Sequence, residues 1–281
     1  MIIDFHTHTF PDKVAPHAIA HMQSLNHSKA YSDGTVSGLI DSGTRAQVDY
    51  SIVLPVVTNP AKAASINNVS IAHTADDGLI YFGGIHPDTP DWFEELGRIA
   101  AAGIKGIKLH PQYQGADMDD IRYLRILGRA AELGLIVVIH AGYEPAYPND
   151  QRSTPKMIRN AFDQVGPVKL VAAHMGGLWN WAEAAELLAG TGIYIDTSNS
   201  LGRITQTDEN YYIDDQLQLM DESQFCKMVQ TFGADQVLYG SDSPWTSQQE
   251  SINAINALPL TQEEKDLIFF QNACRLLNNH G

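Results

Sequence analysis

The sequence is short of several things, and each shortage removes a class of function. No apolar run approaches the roughly 18 residues that a membrane span needs. The chain does not open on a basic segment, an apolar stretch and a small-residue cleavage site, so no secretory signal is read. Lysine and arginine together number 18 against 33 aspartates and glutamates, a formal net charge of −15. Recognition of a phosphate backbone needs clustered cations, so neither nucleic acid nor an anionic membrane is the expected partner. Only two cysteines occur, Cys226 and Cys274. Both fall in helical patterns without metal-ligand spacing and read as reduced core thiols. The expected location is cytoplasmic. There is also no interdomain linker, internal repeat or low-complexity tract. A single domain over 1–281 is the economical reading, and a barrel of roughly 250 residues fits within it.

What the chain does have is a recurring apolar run every few tens of residues. Ile2–His8, Ser51–Val57, Ile80–Ile85, Gly106–His110, Leu135–His140, Lys169–His174, Ile193–Thr197 and Gln236–Ser241 read as eight strands. Near-continuous runs such as Ile136-Val137-Val138-Ile139 indicate strands buried on both faces, the habit of parallel sheets. Helical spacing fills the intervals. Asp119–Leu133 stops at Gly134, and Pro155–Val165, Trp181–Leu188 and Phe225–Phe232 follow. A last helix opens on the capping-box pattern Thr261-Gln262-Glu263-Glu264 and runs to about Asn278. Strand–helix alternation eight times over specifies an α/β (β/α)₈ TIM barrel, with an open doubly wound sheet as the rival. Two insertions, at about 11–48 and 199–222, follow the first and seventh strands, on the side where barrel active sites lie.

Polar residues gather at the strand ends. His6 and His8 close the first strand, His86 the third, Lys108 and His110 the fourth, His140 the fifth and His174 the sixth. The eighth ends Gly240-Ser241-Asp242. Strict alternation would put Asp4, His6 and His8 on one face of the first strand and Ile3 and Phe5 on the other. Two imidazoles two residues apart can converge on one metal ion, and packing gives little reason for that arrangement.

This ordered set resembles the amidohydrolase superfamily, and more closely its aminocarboxymuconate-semialdehyde decarboxylase-like, amidohydrolase-related branch. The matching pieces are Asp4-Phe5-His6-Thr7-His8, His140, His174-Met175-Gly176-Gly177, Gly240-Ser241-Asp242 and the terminal Asn272-Ala273-Cys274-Arg275-Leu276-Leu277. The resemblance covers essentially the whole chain. It implies that His6, His8, His140 and Asp242 bind one divalent metal, with Zn²⁺ the expected ion. It also implies that His174 and Asp242 are catalytic. Imidazole and carboxylate donors suit Zn²⁺ independently. Many relatives carry a carbamylated lysine at the end of the fourth strand, so Lys108 is either a bridge between two metals or a plain cation. Arg152 and Arg203 join Lys108 as candidate contacts for a substrate carboxylate, and His110 is a candidate substrate contact or auxiliary metal ligand. Proteins of this branch commonly pair as homodimers, which makes the 11–48 insertion a candidate contact.

Three functions stay open on this reading. The first is a metal-dependent hydrolase that opens a small, carboxylate-bearing ester, lactone or amide with a metal-activated water. The second is a non-oxidative decarboxylase of a small unsaturated or aromatic acid. The third is a metal-binding protein without turnover. Two other families that begin with His-x-His fit less well. The polymerase-and-histidinol-phosphatase phosphoesterases need additional acidic ligands near the end of the chain. TatD-like nucleases usually place a glutamate where this chain has Lys108-Leu109-His110. His17 and His21, four apart on one helix, read as a solvated face. Trp179, Trp181 and Trp245 are candidate pocket walls.

Overall fold

The structure, a computed structural model, describes residues 1–75, 77–209 and 211–278. Position 210 of the second insertion and the last three positions of the expected domain lie outside these residues. All eight strands are present, each pairing parallel with the next. They are Ile3–Thr7, Tyr50–Val53, Leu79–Tyr81 continued by Gly83–Gly84, Gly106–Leu109, Ile136–Ile139, Lys169–Ala172, Tyr194–Asp196 and Val237–Leu238. The third strand breaks at Phe82, whose N–H donates to Val53 O (3.0 Å) and carries the ladder across the break. The ring closes where Phe5 N donates to Tyr239 O (2.8 Å), Asp242 N to His6 O (2.8 Å) and His8 N to Ser243 O (2.7 Å). This is the (β/α)₈ barrel that the alternation of elements predicts, and it excludes an open sheet.

The barrel has two apolar layers. Leu109, Ile139, Ala172, Ile195 and Val237 face outward to the helices. Phe5, Leu54, Phe82, Val138, Val171 and Leu238 fill the interior below the rim. The helices follow from their patterns. Pro155–Val165 matches its expected bounds, with Thr154 accepting from Met157 N. Glu222–Phe232 begins three residues earlier than Phe225, because Asp221 and Gln224 form a capping box. The Thr261/Glu264 capping box is also present. The last helix is not uniform, since Leu267–Gln271 widens into a π-helical turn. Such a turn breaks the regular ladder, and here Ile268 O accepts from Tyr239 N (2.8 Å) in the eighth-strand segment.

The first strand departs from strict alternation. Ile3 pairs with Tyr50 and Asp4 with Ser51, but Thr7 pairs with Val53, so the strand carries one extra residue between Asp4 and Thr7. A β-bulge shifts the faces by one. Below it, Ile3 and Phe5 point into the barrel, while Asp4 points out to Ser241 Oγ (2.6 Å) and Gln248 Nε2 (2.8 Å). Above it, His6 points in, toward Lys108 and Asp196. The expectation that Asp4 shares a face with His6 and His8 is therefore corrected.

The two insertions pack against each other above the rim. Ser28 and Gln206 form an antiparallel bridge, Lys29 N donates to Thr205 O (2.8 Å), and Thr207 N donates to His27 O (2.8 Å). The His27 ring stacks on Tyr211 with centroids 3.6 Å apart. His17 and His21 lie exposed on Ala15–Asn26, as a solvated face should. Cys226 and Cys274 are free and half-buried. No helix among the described residues is long and apolar enough to cross a membrane.

Two glycines test the packing in opposite directions. A Cβ on Gly106 would sit 2.4 Å from the Phe82 ring and 2.5 Å from Ile136 O, whereas one on Gly128, inside Ile121–Glu132, meets nothing within 4 Å. Gly106→Ala should destabilise the chain by about 1–3 kcal/mol through overpacking. Gly128→Ala should stabilise it by about 0.4–1 kcal/mol. Urea unfolding midpoints at constant m-value read both.

Candidate metal centre

A cavity of about 800 Å³ opens at the C-terminal ends of the strands. The bulge, the ends of strands four to six and the turn after strand eight bring His6, His8, Lys108, His110, His140, His174 and Asp242 to its floor, with Glu144 beside them. His6, Lys108, His110, His140, His174, Asp242 and Glu144 are all buried.

Carboxylate and carbonyl oxygens only accept, so the groups facing each ring locate its proton. His6 Nδ1 lies 2.8 Å from Asp196 Oδ2, and His8 Nδ1 lies 2.8 Å from Leu54 O. Both rings therefore carry the proton on Nδ1 and turn a bare Nε2 inward. The two Nε2 atoms are 3.2 Å apart. Asp242 Oδ1 is 3.5 Å from the first and 3.2 Å from the second. His6 Nε2 and Asp242 Oδ1 are buried and His8 Nε2 is partly buried; Lys108 reaches the first, and a cation between them would satisfy all three. A tetrahedral metal bonded at about 2.1 Å sets neighbouring donors about 3.4 Å apart, which matches these separations. The donor set thus fits the divalent metal that the resemblance implies. Asn199, at φ 45°, donates to Asp242 Oδ2 (2.5 Å) and leaves Oδ1 to the histidines.

His140 clusters with His110 and Glu144, while His6, His8 and Asp242 form the other set of candidate ligands among the described residues. His174 Nδ1 faces Ser198 O (3.1 Å) and Ser198 Oγ (2.9 Å). The Ser198 hydroxyl itself donates to Asp196 Oδ1, so both Ser198 atoms accept from His174. His174 Nε2 is then an acceptor and receives a hydrogen bond from His140 Nδ1 at 3.0 Å. Both ring nitrogens of His174 are engaged.

Burial dominates the charges. It lowers the Lys108 ammonium to about 8 and raises the Glu144 carboxyl to about 7. Burial, then the Lys108 charge, takes His6 down to about 4. Burial also holds His110, His140 and His174 below the ordinary imidazole value. For Asp242, burial opposes ionisation, but the His6 and His8 rings outweigh it and keep the carboxyl below its usual range. Lys108 Nζ, 3.1 Å from His6 Nε2, donates to that lone pair.

The remaining candidates scatter. Arg203 lines the cavity and pairs with Asp214 (2.5 Å). Arg152 is not among the cavity-lining residues and pairs with Asp150 (2.7 Å) and Asp117 (3.2 Å). His86 is used in a turn, its Nδ1 accepting from Asp88 N (3.0 Å). Trp245 lines the cavity, and Trp181 donates to His174 O (3.0 Å). Sequence reasoning missed Asp196, Glu144, Ser198 and Asn199. Asp196 had a signal, an acidic side chain at a buried strand end. Glu144 lies in a loop whose course no periodicity marks.

Residues 3–278 match the family model described as amidohydrolase. The chain belongs to the amidohydrolase family. Membership makes it a metal-dependent enzyme of the hydrolase or carboxy-lyase kind. Solved structures share the fold of this amidohydrolase at low identity. One is a 5-carboxyvanillate decarboxylase from Sphingomonas paucimobilis, with TM-score 0.69, 14% identity and 98% of each chain covered. Another, from Novosphingobium aromaticivorans and with manganese bound, is also a 5-carboxyvanillate decarboxylase. It has TM-score 0.67 and 15% identity, covering 99% of this chain and 97% of the other. A Pseudomonas putida protein, provisionally assigned as a 2-pyrone-4,6-dicarboxylic acid hydrolase, has TM-score 0.66 and 16% identity, covering 98% and 97%. No curated protein matches the sequence.

Because Asp196 fixes the His6 tautomer, its replacement is informative. Asp196→Asn should lower zinc affinity about 10–100-fold, the usual effect of losing such a partner. Competition against a chromophoric chelator measures it.

Proposed function

We propose that this amidohydrolase hydrolyses a small ester, lactone or amide that bears a carboxylate, with residues 1–281 working as one catalytic domain. The observation that carries the reading is the convergence of His6 Nε2, His8 Nε2 and Asp242 Oδ1 on one point of the cavity floor. We assign Zn²⁺ to that point, because two imidazoles and a carboxylate suit it. A divalent metal there supplies Lewis acidity, polarising a carbonyl and making a water more acidic.

The chain's own groups do the rest. Asp242 is ionised and presents Oδ1 to the cavity, so it accepts the proton of an attacking water and returns it to the leaving group. Asn199 keeps the other oxygen occupied and thereby aims the first. His174 fixes the orientation and tautomer of His140 and keeps them through Ser198. Lys108, and Arg203 on the wall, offer positive charge to a substrate carboxylate. Trp245 and Leu201 give an apolar wall for the body of the substrate.

One observation favours carboxy-lyase chemistry as a second reading. Burial raises the Glu144 carboxyl to about 7, so near neutral pH a substantial fraction of it carries a proton for delivery to a substrate carbon. The two readings part on products. Under hydrolysis, lactones and esters yield acid in a pH-stat, amides yield a free amine, and none yields CO₂. Aromatic or unsaturated acids that release CO₂ decide for the second. A metal-loaded protein inert to both panels supports binding without turnover.

Asp242→Asn should cut kcat about 10²–10⁴-fold, the usual contribution of a general base. His174→Ala should lower activity while leaving metal on His6 and His8. Steady-state kinetics with elemental analysis checks both.

A further inference from the structure

The cavity is larger than a small ring acid needs. About 150 Å³ accommodates a benzene ring, whereas the cavity holds about 800 Å³. Part of the surplus lies to one side of the floor. From His8 the lining runs past Pro55 and Val56, where the chain leaves the second strand, to Val53 and Tyr81 at the ends of strands two and three. Val36 of the helix Val36–Ala46 stands on one flank, and Ile66 and Val69 of the helix Ala63–Ala72 on the other. Val69 is 61% exposed, so this passage reaches the protein surface.

The passage differs chemically from the floor it joins. Among the described residues that line it, none is a lysine, arginine, histidine, aspartate or glutamate. Its side-chain polarity is hydroxyl, and the Tyr81 hydroxyl is already hydrogen-bonded to Thr9. Val53 belongs to neither layer of the barrel core. It forms a small cluster of its own with Leu39 and Leu79, against which Val36 and Tyr81 pack. An apolar occupant would extend that burial without displacing core side chains, and release of water from the apolar wall would favour it. A charged occupant would lose hydration there and find no partner.

We propose that this passage holds an alkyl chain, and that the substrate is an ester or amide with a saturated chain on its acyl side. The inference rests on the hydrolytic reading and deepens it. The substrate carboxylate lies toward Lys108 and Arg203, the scissile carbonyl over the floor, and the chain between Val56 and Val69.

Two chain-length series test this on the full, zinc-loaded protein. In the first, straight-chain alkanoates from butyrate to decanoate are titrated by calorimetry, with no turnover involved. Affinity should rise up to about fourfold per methylene, the effect of burying about 0.8 kcal/mol of apolar group. Val56→Asp places a carboxylate in the passage, and Val69→Asp places one at its exposed mouth, where folding is not at stake. Either should weaken decanoate binding at least tenfold and leave butyrate unchanged. Affinity independent of chain length overturns the proposal, and so does a rise that both variants retain. In the second series, 4-acyloxybenzoates of the same chain lengths are offered as substrates. Water cleaves the acyl C–O bond to give the alkanoate and 4-hydroxybenzoate, and kcat/KM should climb with the chain. Chain-dependent binding without cleavage of any ester leaves the passage standing and removes the hydrolytic reading. Cleavage that ignores chain length, with flat binding, does the reverse.

Discussion

Three oxygen acceptors set the chemistry of the rim. Asp196 Oδ2, Leu54 O and Ser198 O fix the Nδ1 protons of His6, His8 and His174, at 2.8, 2.8 and 3.1 Å. Every bare nitrogen on the floor follows from those choices. His6 and His8 turn lone pairs on Asp242, and His174 passes the constraint through His140 toward Glu144. Asp196 sits at the root of two branches, since it also accepts from the His174 backbone N–H and the Ser198 hydroxyl. A low-dielectric interior makes such a network costly to leave half-satisfied. The floor is accordingly built to hold positive charge. Lys108 is the part of that charge which the chain supplies itself.

Much of this was legible beforehand because it depends on period and on strand ends. Eight apolar runs separated by helical stripes specify the barrel, and the polar residues closing six of them mark the rim. What the alternation rule missed was local. It assigned Asp4 to the histidine face, because a bulge leaves no trace in hydropathy. The resemblance grouped His140 with His6, His8 and Asp242; the ring turns Nδ1 toward His174 and Nε2 toward Tyr143 O and Glu144. Glu144 and Asn199 come from loops, where residue order gives no geometry. Arg152 illustrates the converse: a guanidinium following a rim strand is as readily neutralised by neighbouring aspartates as turned to a ligand.

The insertions extend the same architecture. A minimal barrel would leave the floor open to solvent above the strand ends. Here the segment after the first strand and the segment after the seventh meet through backbone pairing at Ser28 and Gln206 and through the His27–Tyr211 stack. Walls from both, such as Tyr31 and Leu201, then line the cavity. That cover lowers the effective dielectric around Lys108, Glu144 and Asp242, which strengthens their mutual interactions.

The extra residue in the first strand has a consequence for how the protein tolerates change in length. Side chains on a strand have a parity, and the bulge reverses it between Phe5 and His6. Core below and site above are thus read in opposite phase from five consecutive residues. A substitution there alters one contact. Losing one residue between Asp4 and Thr7 instead exchanges inside for outside along half the strand, so in this short segment chain length itself is under physical control.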